Sequence, residues 1–179
     1  NSHGTDKYME GNSTAIKLVA NFLPNQYFAT TADVVAIAPD GTIQGTQSST
    51  GLDGTKTFYV LQRDKSFFTL EAANKYLSLY QAKYNKPATT LKQLFTAYTD
   101  GLCYFRVDLW NTATSTDKNK SWGVLRNHIY SVNIKSIKGP GRPAFPIDPN
   151  TPLDEESWIQ VTVDVEPWVF NDLGDVDLQ

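Results

Sequence analysis

The sequence predicts an α+β chain dominated by an antiparallel β-sandwich. Several segments alternate apolar and polar residues with a period of two, as strands with one buried face do. Two further segments space their apolar residues three and four apart, as helices do. With 179 residues, 40% of them hydrophobic, the chain is long enough to bury one substantial core. We therefore expect about seven strands and two short helical insertions.

The first part of the chain is predicted to be mostly strand. Apolar and β-branched residues are concentrated in four segments, which are residues 14–22, 33–38, 42–44 and 57–61. Pro24 ends the first of these segments, and the turn residues of 39–41 separate the second from the third. A Gly-, Ser- and Thr-rich loop over 45–56 precedes the fourth.

Two helices are expected next. The first runs from Leu70 to Tyr84, with Thr69 as its N-cap and Asn85 and Pro87 at its end. Its predicted apolar face comprises Leu70, Ala73, Leu77, Tyr80 and Tyr84. The second starts after Thr90, which forms a capping box with Gln93. Its predicted apolar side comprises Leu91, Leu94, Phe95 and Tyr98.

The second half of the chain returns to strand patterns. Residues 103–110 alternate apolar and polar side chains, which predicts one buried and one solvent-exposed face. Residues 122–137 place Tyr130, Val132 and Ile134 on one face, and the stretch from Gly139 to Pro143 then breaks the chain. Residues 159–166 alternate most regularly, up to Pro167.

Composition and motifs argue against several function classes. A net charge of -3 and a pI near 5.3 do not favour a nucleic-acid binder. Gly139-Pro140-Gly141 lacks the Lys and the helix of a phosphate loop, and no G-x-S-x-G elbow is present. His128 lies in a predicted strand, and Cys103 lies in an apolar stretch, where we expect a buried thiol. No carboxylate pair is singled out for glycosidase chemistry. We expect no enzyme, no cofactor and no metal.

Aromatic residues in the β-rich half leave a second hypothesis open. They are Tyr104, Trp110, Trp122, Trp158 and Trp168. Exposed planar rings on a sandwich stack on sugars, which would make the chain a carbohydrate-binding module or a tip adhesin for a host glycan or protein receptor. The same residue types also pack in ordinary sandwich cores and interfaces.

Residues 122–143, WGVLRNHIYSVNIKSIKGPGRP, resemble the signature of the type V fimbrillins of Bacteroidia, in the C-terminal domain of the minor fimbrium subunit family. That signature has Arg-Asn-His before a Tyr-containing strand that runs into a Gly-x-Gly turn. The matching positions are Arg126, Asn127, His128, Tyr130, Gly139 and Gly141. Residues 100–105 are similar to the family's Gly-x-Cys-Tyr-Tyr strand, with Phe105 in place of the second tyrosine. The alternating strand before Trp168 is similar to the last core strand, and the resemblance extends over residues 8–179.

The resemblance implies a structural subunit of a bacterial surface fimbria that assembles with other fimbrial subunits. Family subunits carry two transthyretin-like β-sandwich domains, so this chain corresponds to the C-terminal one, and we expect the N-terminal domain to be missing. The precursor is expected to be an outer-membrane lipoprotein trimmed by a protease. Trimming opens a groove in the N-terminal sandwich, which an extended segment of a neighbouring subunit fills by strand addition.

The predicted organisation has three parts: a flexible lead over 1–13, a β-sandwich domain over 14–167 and a C-terminal tail over 168–179. Four apolar residues of the tail, Trp168, Phe170, Val176 and Leu178, occupy even positions. An extended tail would therefore present one apolar face, which makes it the candidate donor strand. The alternative, that the tail completes the sheet of its own domain, is left open.

The polar triplet of the resemblance has a structural interpretation. Arg126, Asn127 and His128 are expected to anchor a neighbouring loop by hydrogen bonds, in preference to a ligand role. The Gly-Pro-Gly-Arg-Pro stretch is expected to redirect the chain between sheets, since glycine adopts a positive φ and proline fixes φ.

Overall fold

The structure, a computed structural model, describes residues 13–109, 124, 126–144 and 159–167, with side chains in the last range described for 161–163. In these residues the strands are β1 (Ala15–Asn21), β2 (Val34–Ile37), β3 (Ile43–Gly45), β4 (Phe58–Leu61), β5 (Phe67–Phe68), β6 (Phe95–Tyr98), β7 (Leu102–Asp108), β8 (His128–Ile137) and β9 (Ile159–Pro167). The helices are α1 (Leu70–Tyr84) and α2 (Leu91–Leu94).

These strands form small sheets, ordered β1-β7, β2-β3, β5-β4-β6 and β8-β9. Pairing is antiparallel in each sheet for which the register is described. The predicted fold class is confirmed: the chain is mainly β and has a sandwich-like α+β fold. The described residues contain more strands than the seven or so expected, because β5 and β6 had not been predicted.

The chain forms two compact units. Unit 1 contains Asn1–Leu18, Phe105–Gly139 and Pro146–Gln179, and unit 2 contains Val19–Tyr104 and Pro140–Phe145. The expectation of one sandwich domain over 14–167 stays a prediction.

Aromatic side chains build the core of unit 2. The rings of Phe28 and Phe68 stack with centroids 4.8 Å apart, and Phe68 meets Phe95 edge-on at 5.1 Å. Such pairs add stabilisation beyond the burial of their area. The buried cluster comprises Phe28, Val34, Leu61, Phe68, Ala72, Ala73, Tyr76 and Phe95. This core brings residues from β2, β4, β5, β6 and α1 together.

Helix α1 has the predicted bounds because both of its ends are capped. The Thr69 hydroxyl accepts a hydrogen bond from the Ala72 N–H at 3.3 Å and donates one to the Ala29 carbonyl at 2.5 Å. Asn85 ends the helix in the left-handed conformation, with φ 51°, and its N–H bonds to the Gln81 carbonyl. The predicted N-cap and C-terminal stop are both confirmed.

The buried face of α1 differs from the predicted face. Ala72, Ala73 and Tyr76 are buried, whereas Leu70 is 49% exposed and Tyr84 is 40% exposed. Two members of the predicted face are confirmed, because Ala73 is buried and Tyr80 packs against the core. In the structure the two alanines face the core, because their small side chains let the helix backbone approach the strands closely.

The second predicted helix is shorter than expected. The Thr90 N–H donates to the Gln93 Oε1 at 2.7 Å, which confirms that part of the capping box, but α2 ends at Leu94. Phe95 is extended, with φ -122° and ψ 148°, and begins β6, which pairs with β4. A helix this short is marginal by itself. Burial of Phe95 and Tyr98 in a sheet therefore outweighs the helical pattern.

Strand β7 shows the predicted alternation on its apolar side only. Cys103, Phe105 and Val107 are buried. The opposite face was expected to be solvent-exposed, but the side chains of Arg106 and Asp108 are only 7% and 13% exposed. They form an ion pair with an Nε–Oδ1 distance of 2.7 Å. Pairing of the two charges offsets the free-energy cost of burying them. The alternation of apolar and polar residues does not reveal this pairing.

Replacing Thr69 with alanine is expected to lower the free energy of unfolding by about 1 kcal/mol, because the N-cap bond to Ala72 and the bond to Ala29 are both lost. Urea denaturation followed by circular dichroism measures the change. Thr50→Ala, in an exposed loop, is the matched control and should change stability by less than about 0.5 kcal/mol. Equal effects of the two substitutions would contradict the capping role.

Candidate assembly surfaces

The polar triplet of the sequence signature forms the turn that leads into β8. Arg126 and Asn127 are exposed, and Asn127 has a φ of 60°. His128 is the first residue of β8, and its Nδ1 lies 2.9 Å from the Arg126 carbonyl oxygen. This hydrogen bond is local to the turn. The expected anchoring of a neighbouring loop stays a prediction.

The last residue of β9 pairs with the first residue of β8, which directly follows this turn. In the β8–β9 register the Cα partner of His128 is Pro167, the last residue of β9. Pro167 is therefore opposite the start of β8, next in the chain to the turn that contains Arg126. Proline has no N–H to donate to a ladder, so the regular pairing of β9 weakens here.

The proposed donor residues Trp168, Phe170, Val176 and Leu178 lie outside the described residues. Of the five aromatic residues of the carbohydrate-binding hypothesis, Trp110, Trp122 and Trp158 also lie outside the described residues, as Trp168 does, and Tyr104 is half-buried in β7. That hypothesis and the donor assignment therefore both stay predictions.

One face of the β8–β9 sheet is apolar in register. Tyr130 pairs with Val165, Val132 with Val163, and Ile134 with Val161. Ser136 then pairs with Gln160, so one extra β8 residue forms a bulge that brings Ile137 opposite Ile159. Val163 is buried, whereas Ile134 is 50% exposed and Ile137 is 47% exposed. The apolar face is thus covered near Val163 and open near the bulge.

The glycines of the signature are buried rather than exposed. Gly139 follows β8, and Gly141 belongs to a strap that we define as residues 140–143. The buried Tyr98 hydroxyl donates a hydrogen bond to the Gly141 carbonyl at 2.7 Å. Next to it, the N–H of Tyr104 donates to the Arg142 carbonyl at 2.9 Å, and the Arg142 N–H returns a bond at 2.7 Å. The strap thereby adds a one-bridge strand segment to β7 within unit 2.

Sequence reasoning missed the partner of this strap. Tyr98 had been assigned to a helix face, and the residue that it binds lies 43 positions away. The hydroxyl of a buried tyrosine normally forms a hydrogen bond. The sequence therefore indicates that Tyr98 has a partner, but not which residue it is.

Burial raises the pKa values of the two ionisable side chains beside the strap, Tyr98 and Cys103. Burial, and to a smaller extent the neighbouring Cys103, raises the pKa of Tyr98 to about 12. Burial also raises the pKa of Cys103 to about 11, although a hydrogen bond with the main chain of Gly141 opposes the shift. A thiol that stays protonated and buried is a poor nucleophile, so Cys103 is an inert core residue. Its predicted burial is confirmed.

The described residues contain neither a cluster of metal-ligating side chains nor a helix suited to span a membrane. Among those residues no group of three or more His, Cys, Asp or Glu side chains is placed to hold a metal ion. Neither α1 nor α2 is long and apolar enough to cross a membrane.

Replacing Tyr98 with phenylalanine leaves the buried Gly141 carbonyl without its hydrogen-bond donor. We expect the free energy of unfolding to fall by about 1–3 kcal/mol. Tyr84→Phe, which removes the hydroxyl of an exposed ring, is the control and should be nearly neutral. Chemical denaturation of both variants makes the comparison, and a Tyr98→Phe variant as stable as the control would contradict the anchoring role of Tyr98.

The raised pKa values predict a loss of stability at alkaline pH. Above the ordinary Cys pKa of 9.0 the unfolded thiol loses its proton, whereas the folded Cys103 keeps it up to about pH 11. The folded state then binds more protons than the unfolded state, so stability falls as pH rises through this window. Tyr98 extends the same effect from its ordinary value of 10.0 towards pH 12.

Unfolding free energies measured between about pH 8 and pH 11 should therefore decline, and decline less steeply in a Cys103→Ala variant. An identical pH slope in the variant would show that Cys103 ionisation is not coupled to folding.

Residues 96–173 match the family model described as "Major fimbrial subunit protein type IV, Fimbrillin, C-terminal". No curated protein matches the chain. The match supports a fimbrillin relationship but not the finer expectation of a type V minor subunit, because the matched description is that of a type IV major subunit. It includes β7, β8, the strap and β9. This part of the chain is thus similar to the C-terminal part of a fimbrillin.

Proposed function

We propose that this chain is a structural subunit of a bacterial surface fimbria and that it assembles with other subunits by strand exchange. The observation that carries the proposal is the match of residues 96–173 to the C-terminal part of fimbrillins. The fold agrees with a building block, because the described strands form small antiparallel sheets that offer edges for pairing.

The tail is proposed as the donor strand. It follows β9 directly, and the apolar residues Trp168, Phe170, Val176 and Leu178 share one parity. An extended segment with this pattern forms main-chain hydrogen bonds along a sheet edge while alternate side chains enter pockets. Pro167 supports this assignment, because a residue without an N–H interrupts the continuation of β9 along β8.

The remaining features of the proposal concern the whole subunit. The precursor would reach the outer membrane as a lipoprotein, and proteolytic trimming would open the acceptor groove in an N-terminal domain. The fimbria would support adhesion, with a host glycan or protein as receptor. In this proposal the subunit performs no bond-making chemistry.

Deleting residues 168–179 from the full-length subunit should abolish fibre assembly and leave this domain folded. Electron microscopy and sedimentation measure the fibres, and circular dichroism reports the fold. Normal fibre formation by the truncated subunit would contradict the donor role.

A parity test separates strand insertion from loss of chain length. Phe170→Ser with Val176→Ser alters the shared-parity face, whereas Val169→Ser with Leu173→Ser alters apolar residues of the opposite parity. We expect the first pair to reduce assembly at least tenfold more than the second, because only the first occupies the acceptor pockets. Equal effects would contradict a strand-like tail.

A further inference from the structure

A basic and aromatic surface lies at the C-terminal end of α1. We define the α1 patch as Arg63, Tyr80, Lys83, Tyr84 and Lys86. The rings of Tyr80 and Tyr84 lie 4.7 Å apart, and the Lys83 Nζ lies 5.4 Å from the Tyr84 ring centroid. Lys83, Tyr84 and Lys86 are exposed. Aromatic rings and ammonium groups are thus presented together.

The β2–β3 turn fixes two of the cations of the patch. The Lys83 ammonium donates to the carbonyls of Ile37, at 2.8 Å, and Ala38. The Arg63 guanidinium donates to the Asp40 carbonyl at 2.5 Å. Main-chain carbonyls thus hold both cationic side chains in place.

The acidic group in this turn is already engaged locally. Asp40 Oδ1 accepts hydrogen bonds from the Thr42 N–H at 2.9 Å and from the Thr42 hydroxyl at 2.7 Å. These bonds, and after them the charges of Arg63 and Lys83, lower the pKa of Asp40. Asp40 interacts with the charges of two of the three cations of the patch, Arg63 and Lys83, and Asp64 lies next to Arg63 in the chain. Three cations against these two carboxylates leave the patch with a positive balance.

The other end of the chain carries the opposite charge. No Lys or Arg follows Arg142 in the sequence. The acidic residues after it are Asp148, Asp154, Glu155, Glu156, Asp164, Glu166, Asp172, Asp175 and Asp177. The tail itself combines three of these aspartates with Trp168 and Phe170. Its composition is complementary to the α1 patch in both charge and aromatic character.

We propose that the α1 patch docks the acidic, aromatic tail of a second copy of this chain. The inference rests on the proposed function, in which the tail leaves its own subunit. Ammonium and guanidinium groups would pair with the tail aspartates, while Tyr80 and Tyr84 contact its aromatic rings. Such complementarity steers the encounter and selects the partner before strand insertion.

The test uses a fluorescent peptide of residues 168–179 and the complete 179-residue chain. Fluorescence anisotropy should show binding that weakens as salt rises from about 0.01 M to about 1 M, where the Debye length falls from about 30 Å to about 3 Å. Lys83→Glu with Lys86→Glu should weaken binding roughly tenfold. Lys56→Glu with Lys92→Glu, at exposed lysines outside the patch, is the control of equal charge change.

Exchanging the charges of the peptide and the patch shows whether the variant chain has lost binding because it is misfolded. A peptide with Asp172, Asp175 and Asp177 replaced by lysine should bind the Lys83→Glu, Lys86→Glu chain at least as tightly as the natural peptide binds the natural chain. Binding that the patch variant weakens no more than the control overturns the proposal. Absence of peptide binding to the complete chain also overturns it. That result would mean that the patch is occupied by the chain's own tail or serves a different protein.

Fibre assembly distinguishes this inference from the function on which it rests. If assembly needs the tail and is unaffected by the Lys83 and Lys86 substitutions, the docking patch is wrong and strand exchange stands. If assembly needs neither, the proposed function is wrong.

Discussion

Antiparallel pairing of β8 with β9 leaves an apolar face that main-chain hydrogen bonds cannot cover. Tyr130, Val132 and Ile134 lie on this face, opposite valines of β9. A two-stranded sheet is marginally stable in water unless its apolar face packs against something else. The exposure of Ile134 and Ile137 beside the buried Val163 shows where this cover ends. Short sheets of this kind keep edges and faces available, which suits a protein whose proposed role is to pair with other copies.

The strap connects the sequence signature to the interior of unit 2. Gly141 and Arg142 belong to the stretch that was expected only to redirect the chain. In the structure their main-chain groups bond to Tyr98 and Tyr104, and the Tyr98 ring stacks on Phe58 with centroids 4.8 Å apart. The main chain of Gly141 and Arg142 therefore takes part in a buried hydrogen-bonded contact beside the buried thiol of Cys103.

Local signals predicted the elements that are determined locally. The bounds of α1 follow from Thr69 and Asn85, and the alternation of β7 follows from its apolar residues. Contacts distant in sequence decided the rest: β4 extends Phe95 into a strand, and Asp108 pairs with a buried Arg106. For the candidate site, the sequence located the signature turn but not the partner of Gly141, and its assignment of the tail stays a prediction. The α1 patch exists because Lys83 and Arg63 both bond to carbonyls at the β2–β3 turn. No spacing in the sequence reveals that contact.

Strand exchange requires that the tail gains strand pairing when subunits assemble. Hydrogen–deuterium exchange of residues 168–179, compared between the isolated full-length subunit and assembled fibres, measures this directly. The account predicts that alternate amides of the tail become strongly protected in fibres, as main-chain hydrogen bonds to a neighbouring sheet edge require. Tail amides that exchange equally fast in both states would contradict it.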